Sequence, residues 1–231
     1  MRTKTIGILS IITLLLSVLW LVLLIWSAIE FGPMTTFSKV LSFVIEMDWK
    51  FVLSYVNATL ITICTTMLFA GFFTLIKSSF PLWATIGIIF IPVYCAFNVI
   101  VYLSQITVVP GLLEMRWAGE YGALADILLM QWVQQWGGSV IAFINLTGYA
   151  ILGLPSIIYG CIFFRGKGLL RYAGLILALN GLACIIAVIG LVLDNKIMSM
   201  GTLIGGVLYI VALILFSLAF VGERDWNFLS S

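Results

Sequence analysis

The sequence predicts an all-α, polytopic membrane protein built as a bundle of six transmembrane helices. Hydrophobic residues make up 63% of the chain and charged residues 9%, against about 45–50% and about 25% in soluble domains. A helix needs about 20 apolar residues to cross a hydrocarbon core of about 30 Å. Strands of an outer-membrane barrel would run about ten residues with alternating polarity, so the long continuous runs here predict helices. The six predicted spans are Ile6–Ile29, Phe51–Leu75, Leu82–Ile106, Gly138–Phe164, Tyr172–Leu193 and Thr202–Val221. We expect them to form one transmembrane domain over residues 1–231.

The orientation follows from the basic residues that flank the spans, because Lys and Arg are retained on the cytoplasmic side. An inside N-terminus places seven basic residues inside and four outside. The inner set is Arg2, Lys4, Lys77, Arg165, Lys167, Arg171 and Arg224, and the outer set is Lys39, Lys50, Arg116 and Lys196. We therefore expect a multi-pass protein of the cell (plasma) membrane with both termini cytoplasmic and an acidic outer surface.

Two outer connections are expected to carry interfacial helices. In the first, apolar residues recur at helical spacing after Gly32-Pro33, at Phe37, Val40, Leu41, Val44 and Ile45. This pattern predicts a short helix along the membrane surface.

The third connection, Thr107–Trp136, is rich in Trp and Tyr, whose rings favour the headgroup region. We expect two short helices there, broken near Gly119–Gly122. An interfacial connector is the simpler interpretation, and a lid over a substrate site is the alternative.

Residues suited to catalysis or metal binding are scarce. Histidine is absent, and no Asp, Glu, Lys or Arg lies in the central part of a predicted span, where a charge would cost several kcal/mol. This argues against histidine-ligated haem, zinc proteases of the HExxH type and carriers with a midplane carboxylate. The four cysteines all lie within spans and form no CxxC pair, so we interpret them as packing residues. We predict no catalytic residue, metal or cofactor, and no nucleic-acid partner; the bilayer is the expected partner, and a homo-oligomer or a membrane partner stays open.

Neutral polar residues provide the strongest positional signal. Tyr94, Asn98, Tyr102 and Gln105 are spaced by four, four and three residues, which places them on one helical face. Asn145 and Tyr149 begin a similar face in the fourth span. At about 1.5 Å per residue, Asn98 and Asn145 lie about 10–12 Å from the outer ends of their spans. Asn57 and Tyr209 lie at about 9–11 Å by the same count.

These residues define a candidate outward-facing pocket for a small neutral or lipid-like molecule. Its members are Asn57, Tyr94, Asn98, Tyr102, Gln105, Asn145, Tyr149 and Tyr209. Pro92 and Pro155 lie in the same two spans as the polar faces and are expected to kink them and free carbonyls. The alternative is interhelical bonding, which contributes about 0.6 kcal/mol per polar contact in membranes.

Small residues four apart, Ala183 with Ala187 and Gly201 with Gly205, mark places where backbones can approach closely. The partner helix could belong to the same chain or to a second copy.

The chain resembles a group of uncharacterised prokaryotic six-helix integral membrane proteins classed only as a domain of unknown function. The likeness lies in length, helix number and the segment Asn98-Val-Ile-Val-Tyr-Leu-Ser-Gln-Ile-Thr-Val-Val-Pro110. It implies a membrane protein and no particular activity.

Three functions remain open from the sequence. The favoured one is a non-enzymatic protein that binds or passes a small molecule. The second is a membrane enzyme that uses outer-face carboxylates for acid–base chemistry, with Glu30, Glu114, Glu120 and Asp126 as candidates. The third is an accessory subunit of a membrane complex.

Overall fold

The computed structural model describes residues 2–46, 48–119 and 121–222, and within these ranges every regular element is a helix. The helices are α1 (Arg2–Phe31), α2 (Phe37–Glu46), α3 (Trp49–Ile76), α4 (Pro81–Ile89), α5 (Ile91–Trp117), α6 (Gly122–Trp132), α7 (Val140–Phe164), α8 (Gly168–Val192), α9 (Lys196–Ser199) and α10 (Gly201–Gly222). Six helical stretches are long and apolar enough to cross a membrane. The prediction of an all-α chain with six apolar spans is confirmed. Glu120 and Arg224, used above, lie outside the described residues.

The chain divides into two compact units. Unit 1 comprises the described parts of Met1–Leu15, Ile63–Cys95 and Leu146–Ser231. Unit 2 comprises the described parts of Leu16–Thr62 and Ala96–Asn145. The candidate pocket residues are divided between the two units. Unit 2 contains five of them, Asn57, Asn98, Tyr102, Gln105 and Asn145, and unit 1 contains Tyr94, Tyr149 and Tyr209.

Turns follow glycines where a left-handed backbone is required. Gly32 has φ +65° directly after α1, and Gly119 has φ +82° between α5 and α6. Glycine adopts this conformation without the steric cost that a Cβ would bring. The first helix therefore ends at Phe31, and the predicted break near Gly119–Gly122 is present.

The third span differs from its predicted limits. Its helix is interrupted at Phe90, just before Ile91-Pro92, and then continues to Trp117 instead of ending near Ile106. Pro92 occupies the first turn of α5, where its missing N–H needs no partner. Pro110 lies inside α5, and the helix persists there because the neighbouring Val109 and Leu113 are buried in the core of unit 2. Pro155, by contrast, leaves α7 continuous.

A glycine seam, made of Gly153 and Gly160 on α7 and Gly174 and Gly181 on α8, joins these two helices in unit 1. A Cβ built on Gly153 would lie 2.6 Å from the carbonyl oxygen of Gly181. A Cβ on Gly160 would lie 2.6 Å from both the Gly174 oxygen and the Ala178 nitrogen. The two backbones are therefore in direct contact, as small residues permit between membrane helices.

The helix α10 approaches the other side of α8 in the same manner. A Cβ on Gly201 would collide with the carbonyl oxygen of Ala183, and one on Gly205 would lie 2.7 Å from Cys184 Sγ. Asn180 Nδ2 donates to the Gly205 carbonyl oxygen at 2.8 Å. The small-residue pairs noted in the sequence therefore pack within the chain.

Aromatic rings fill the rest of the unit 1 core. Phe72 contacts Phe163, Phe216 and Phe220, with ring centroids 5.0, 4.8 and 6.2 Å away. The hydroxyl of the buried Tyr159 donates to the Ala84 carbonyl oxygen at 2.9 Å. The ring of Tyr159 also covers Gly87, where a Cβ would lie 2.5 Å from it. These contacts attach α4 to α7.

Replacement of Gly160 by Ala should destabilise the protein, because its methyl group would overlap backbone atoms that have no room to move. Overpacking of this kind costs about 1–3 kcal/mol, which lowers the melting temperature by several degrees in a chain of this size. Thermal unfolding in detergent measures the effect. Gly206→Ala is the matched control, since nothing lies within 4 Å of its Cβ position. Equal melting temperatures for the two variants would contradict the close approach at the seam.

Candidate functional site

Asn145 on α7 is the centre of a buried polar network in unit 2. Its Nδ2 donates to Asn98 Oδ1 at 2.8 Å and to Tyr102 OH at 3.1 Å. Its Oδ1 accepts from Gln134 Nε2 at 3.0 Å. Both amide hydrogens and the oxygen of Asn145 are therefore used. The polar faces of the third and fourth predicted spans meet at this residue.

Gln105 extends the network to the connection between α6 and α7. Its Nε2 donates to the Trp132 carbonyl oxygen at 2.9 Å, and its Oε1 accepts from the Gln134 backbone N–H at 3.0 Å. The side chain therefore satisfies two backbone groups at the end of α6, where intrahelical partners run out. We call Asn98, Tyr102, Gln105, Gln134 and Asn145 the amide cluster.

Tyr55 and Gln135 lie beside the amide cluster. Gln135 Nε2 donates to Tyr55 OH, and the Tyr55 ring lies 6.3 Å from the Tyr102 ring. Further rings extend the row beyond Tyr55. The Phe51 ring lies 4.9 Å from the Tyr55 ring, and the Phe43 ring lies 5.5 Å from the Phe51 ring. A wall of aromatic rings thus borders a group of neutral amides.

Two buried amide oxygens in unit 2 lack a hydrogen-bond partner among the described residues, Gln135 Oε1 and Asn57 Oδ1. Asn57 is otherwise held on α3 by a bond from its Nδ2 to the Leu16 carbonyl oxygen of α1, at 2.9 Å. Leaving a buried acceptor unpaired costs about 1–3 kcal/mol. Gln135 is the one that directly follows a member of the amide cluster, Gln134, in the chain.

The remaining candidate residues are in unit 1 and have other neighbours. The rings of Tyr94 and Tyr149 lie 6.3 Å apart. Tyr209 OH and Thr65 Oγ1 form a hydrogen bond of 2.9 Å. These contacts link helices within unit 1.

Three residues of the site were missed or dismissed from the sequence. Gln134 and Gln135 lie in the predicted interfacial connector Thr107–Trp136, and Tyr55 lies in the second predicted span on the same helical face as Thr59 and Thr62. The structure does show Thr59 and Thr62 bonded back to carbonyls of their own helix, whereas Tyr55 reaches Gln135. The sequence signal for them is the adjacent pair Gln134-Gln135 between Trp132 and Trp136.

Two of the four carboxylates proposed for acid–base chemistry, Glu30 and Asp126, form ion pairs. Glu30 lies 2.6 Å from Lys50 Nζ, which also lies 3.2 Å from Asp48. Asp126 lies 2.6 Å from Arg116 Nε. Glu114 is exposed on α5, and Glu120 lies outside the described residues. Glu30 and Asp126 therefore serve to join segments of unit 2.

The amide cluster offers mostly neutral hydrogen-bonding groups, and Tyr102 is its one titratable side chain. It contains amides and a tyrosine, and no carboxylate, imidazole or amine. Acid–base catalysis draws mainly on such titratable groups. In the described part of the chain, no group of three or more His, Cys, Asp or Glu side chains is placed to hold a metal ion. The arrangement suits recognition of an uncharged molecule by hydrogen bonds.

Replacement of Asn145 by Leu should destabilise the protein by about 2 kcal/mol, from three hydrogen bonds at about 0.6 kcal/mol each. Asn57→Leu is the matched control, because it exchanges the same side chains at another buried site with one donated bond. Its cost should be about 0.6 kcal/mol. Unfolding by denaturant in micelles gives both values. A smaller loss for Asn145→Leu than for Asn57→Leu would contradict the central role of Asn145.

Comparison with known proteins adds no relative, because no family model matches the chain and no curated protein or solved structure does so either. Inferences about function therefore rest on the residues and contacts described above.

Proposed function

We propose that this protein is a non-enzymatic, multi-pass protein of the cell membrane that binds or passes a small uncharged or lipid-like molecule beside the amide cluster. The observation that carries the proposal is the buried oxygen of Gln135, an acceptor without a protein donor in the described residues. Gln135 directly follows Gln134, whose side chain is bonded to Asn145 in the amide cluster.

The polarity of the surroundings defines the class of molecule. A charged ligand would need an opposite charge; the amide cluster contains no basic side chain, and Lys50 and Arg116 of unit 2 are already paired with carboxylates. A neutral molecule with at least one hydrogen-bond donor would satisfy the Gln135 oxygen. Gln135 is positioned for this because its nitrogen is held by Tyr55.

The aromatic wall supports an amphiphilic rather than a purely polar ligand. Phe43, Phe51 and Tyr55 form successive ring contacts, and Phe37 contacts Trp136 at 5.6 Å. Ligand sites commonly combine apolar rings with a few polar groups that fix orientation. A hydroxyl or amide headgroup on a hydrocarbon body would match both.

Asn98 and Tyr102 bond to Asn145, and Gln105 and Asn145 bond to the α6–α7 connection, which supports a positioning role for these residues. They hold the α6–α7 connection, and with it Gln135, against α5 and α7. The expected pocket thus shifts from the asparagines to the residues that they position. This molecule would enter from the outer side of the membrane, with both termini of the protein in the cytoplasm.

Native mass spectrometry of the detergent-purified full-length protein tests the proposal. The wild type should retain a neutral molecule at a ratio near one, and Gln135→Leu should lose it, because its acceptor oxygen is gone. Tyr209→Phe is the control, since it removes a buried hydroxyl from unit 1 and should retain the molecule. A bare wild-type protein, or equal retention by Gln135→Leu, would overturn the proposal, and a stoichiometric protein partner in place of a small molecule would favour an accessory subunit.

The proposed orientation is tested by labelling single cysteines placed at exposed lysines. In a background whose four cysteines are replaced by alanine, Lys196→Cys should react with an impermeant maleimide on intact cells, and Lys77→Cys should react only after the cells are broken. Both lysines are exposed, Lys77 directly after α3 and Lys196 at the start of α9, so local burial does not distinguish them. Labelling of Lys77→Cys on intact cells would reverse the orientation.

A further inference from the structure

Four basic side chains lie in two connections of unit 1. Lys77 directly follows α3. Arg165 and Lys167 lie between α7 and α8, and Arg171 lies in the first turn of α8. All four side chains are exposed. The Arg165 guanidinium carbon lies 5.6 Å from the centroid of the Phe80 ring, which precedes α4. This contact brings the two connections together. We call these four residues the basic face.

The charges of the basic face are not neutralised by carboxylates in the described part of the chain. The ion pairs found there involve Lys50 and Arg116, and neither connection contains an Asp or Glu. These four positive charges therefore have no carboxylate partner among the described residues.

Aromatic rings fix the direction of the cations. Lys77 Nζ lies 5.5 Å from the Phe73 ring, and the Arg171 guanidinium lies 4.8 Å from the Phe164 ring. Cation–π contacts of this kind contribute about 0.5–1 kcal/mol at exposed sites and leave the N–H groups at the edge free to donate. The side chains are thus held partly in place before an anion arrives.

Exposed apolar side chains lie close in the sequence to the cations of the basic face. Leu82 and Trp83 are 65% and 53% exposed at the start of α4, and Tyr172 is 61% exposed at the start of α8. A soluble polyanion would not contact these apolar side chains. An anionic phospholipid would contact both the cations and the apolar side chains, because its phosphate lies directly above its hydrocarbon chains.

We propose that the basic face binds the headgroup of an anionic phospholipid, with the phosphate among Arg165, Lys167 and Arg171 and the acyl chains against the neighbouring apolar residues. Arg suits this role because its planar fork can bind two phosphate oxygens at once. The site is separate from the amide cluster, since all of its residues belong to unit 1, and it does not depend on the function proposed above.

Native mass spectrometry of the full-length protein, titrated with phosphatidylglycerol or with phosphatidylcholine of the same acyl chains, tests the site. The wild type should bind the anionic lipid at least tenfold more tightly. The double variant Arg165→Gln/Arg171→Gln should weaken binding of phosphatidylglycerol about 30-fold, from the loss of two charges near an anionic group. It should leave binding of phosphatidylcholine unchanged.

Two further variants separate the site from charge and folding effects. Lys39→Gln/Lys196→Gln removes the same formal charge from exposed lysines elsewhere and should retain phosphatidylglycerol within about twofold of wild type. Lys77→Gln/Lys167→Gln removes the other two cations of the face and should weaken binding even if the arginine variant proves unstable.

Three results would overturn the proposal. They are equal affinity of the wild type for the two lipids, an equal loss in the Lys39→Gln/Lys196→Gln control, and displacement of phosphatidylglycerol by millimolar inorganic phosphate alone. The last would identify a site for free phosphate that needs no acyl chain.

Discussion

In hydrocarbon, a polar group that finds no partner inside the protein costs several kcal/mol, and this requirement explains most of the polar contacts in the chain. Hydroxyls bond to the carbonyl one turn back in their own helix, as Ser10 does to Ile6 and Ser156 to Leu152. A single backbone carbonyl cannot satisfy a side-chain amide, because the amide has two N–H donors and one carbonyl acceptor. Asn180 therefore reaches Gly205, and Asn145 reaches three side chains.

The glycine seam applies the same constraint to the backbone. Without water, helix association depends on close van der Waals packing, and α8 obtains it on two sides, from α7 and from α10. The approach of α10 places the Gly205 carbonyl within reach of Asn180. Close packing thus supplies the polar partner that a buried asparagine needs.

Unit 2 uses its polar residues differently, because its amides hold a connection between helices as well as the helices themselves. Gln105 and Asn145 attach the residues after α6, and the Lys50 and Arg116 ion pairs attach other segments. Exposed ion pairs are weak individually, at about 0–1 kcal/mol, so the buried amides contribute the larger share of this positioning. The outcome is a group of neutral polar side chains next to a row of aromatic rings.

The sequence alone determined the class of the protein, the six spans and most helix limits, because apolar length and glycine–proline signals are local. It also identified the helical face of Asn98, Tyr102 and Gln105, since helical spacing fixes which residues share a face. Only the tertiary structure decided which partner each of these residues meets. Gln134 joins Asn145 because the connection after α6 folds back onto α5 and α7, a contact between residues that no spacing rule relates. In the glycine seam, Gly153 and Gly160 are seven residues apart in the sequence, as are Gly174 and Gly181. Whether these glycines join two helices of one chain or two chains depends on which backbones meet, and only the tertiary structure shows this.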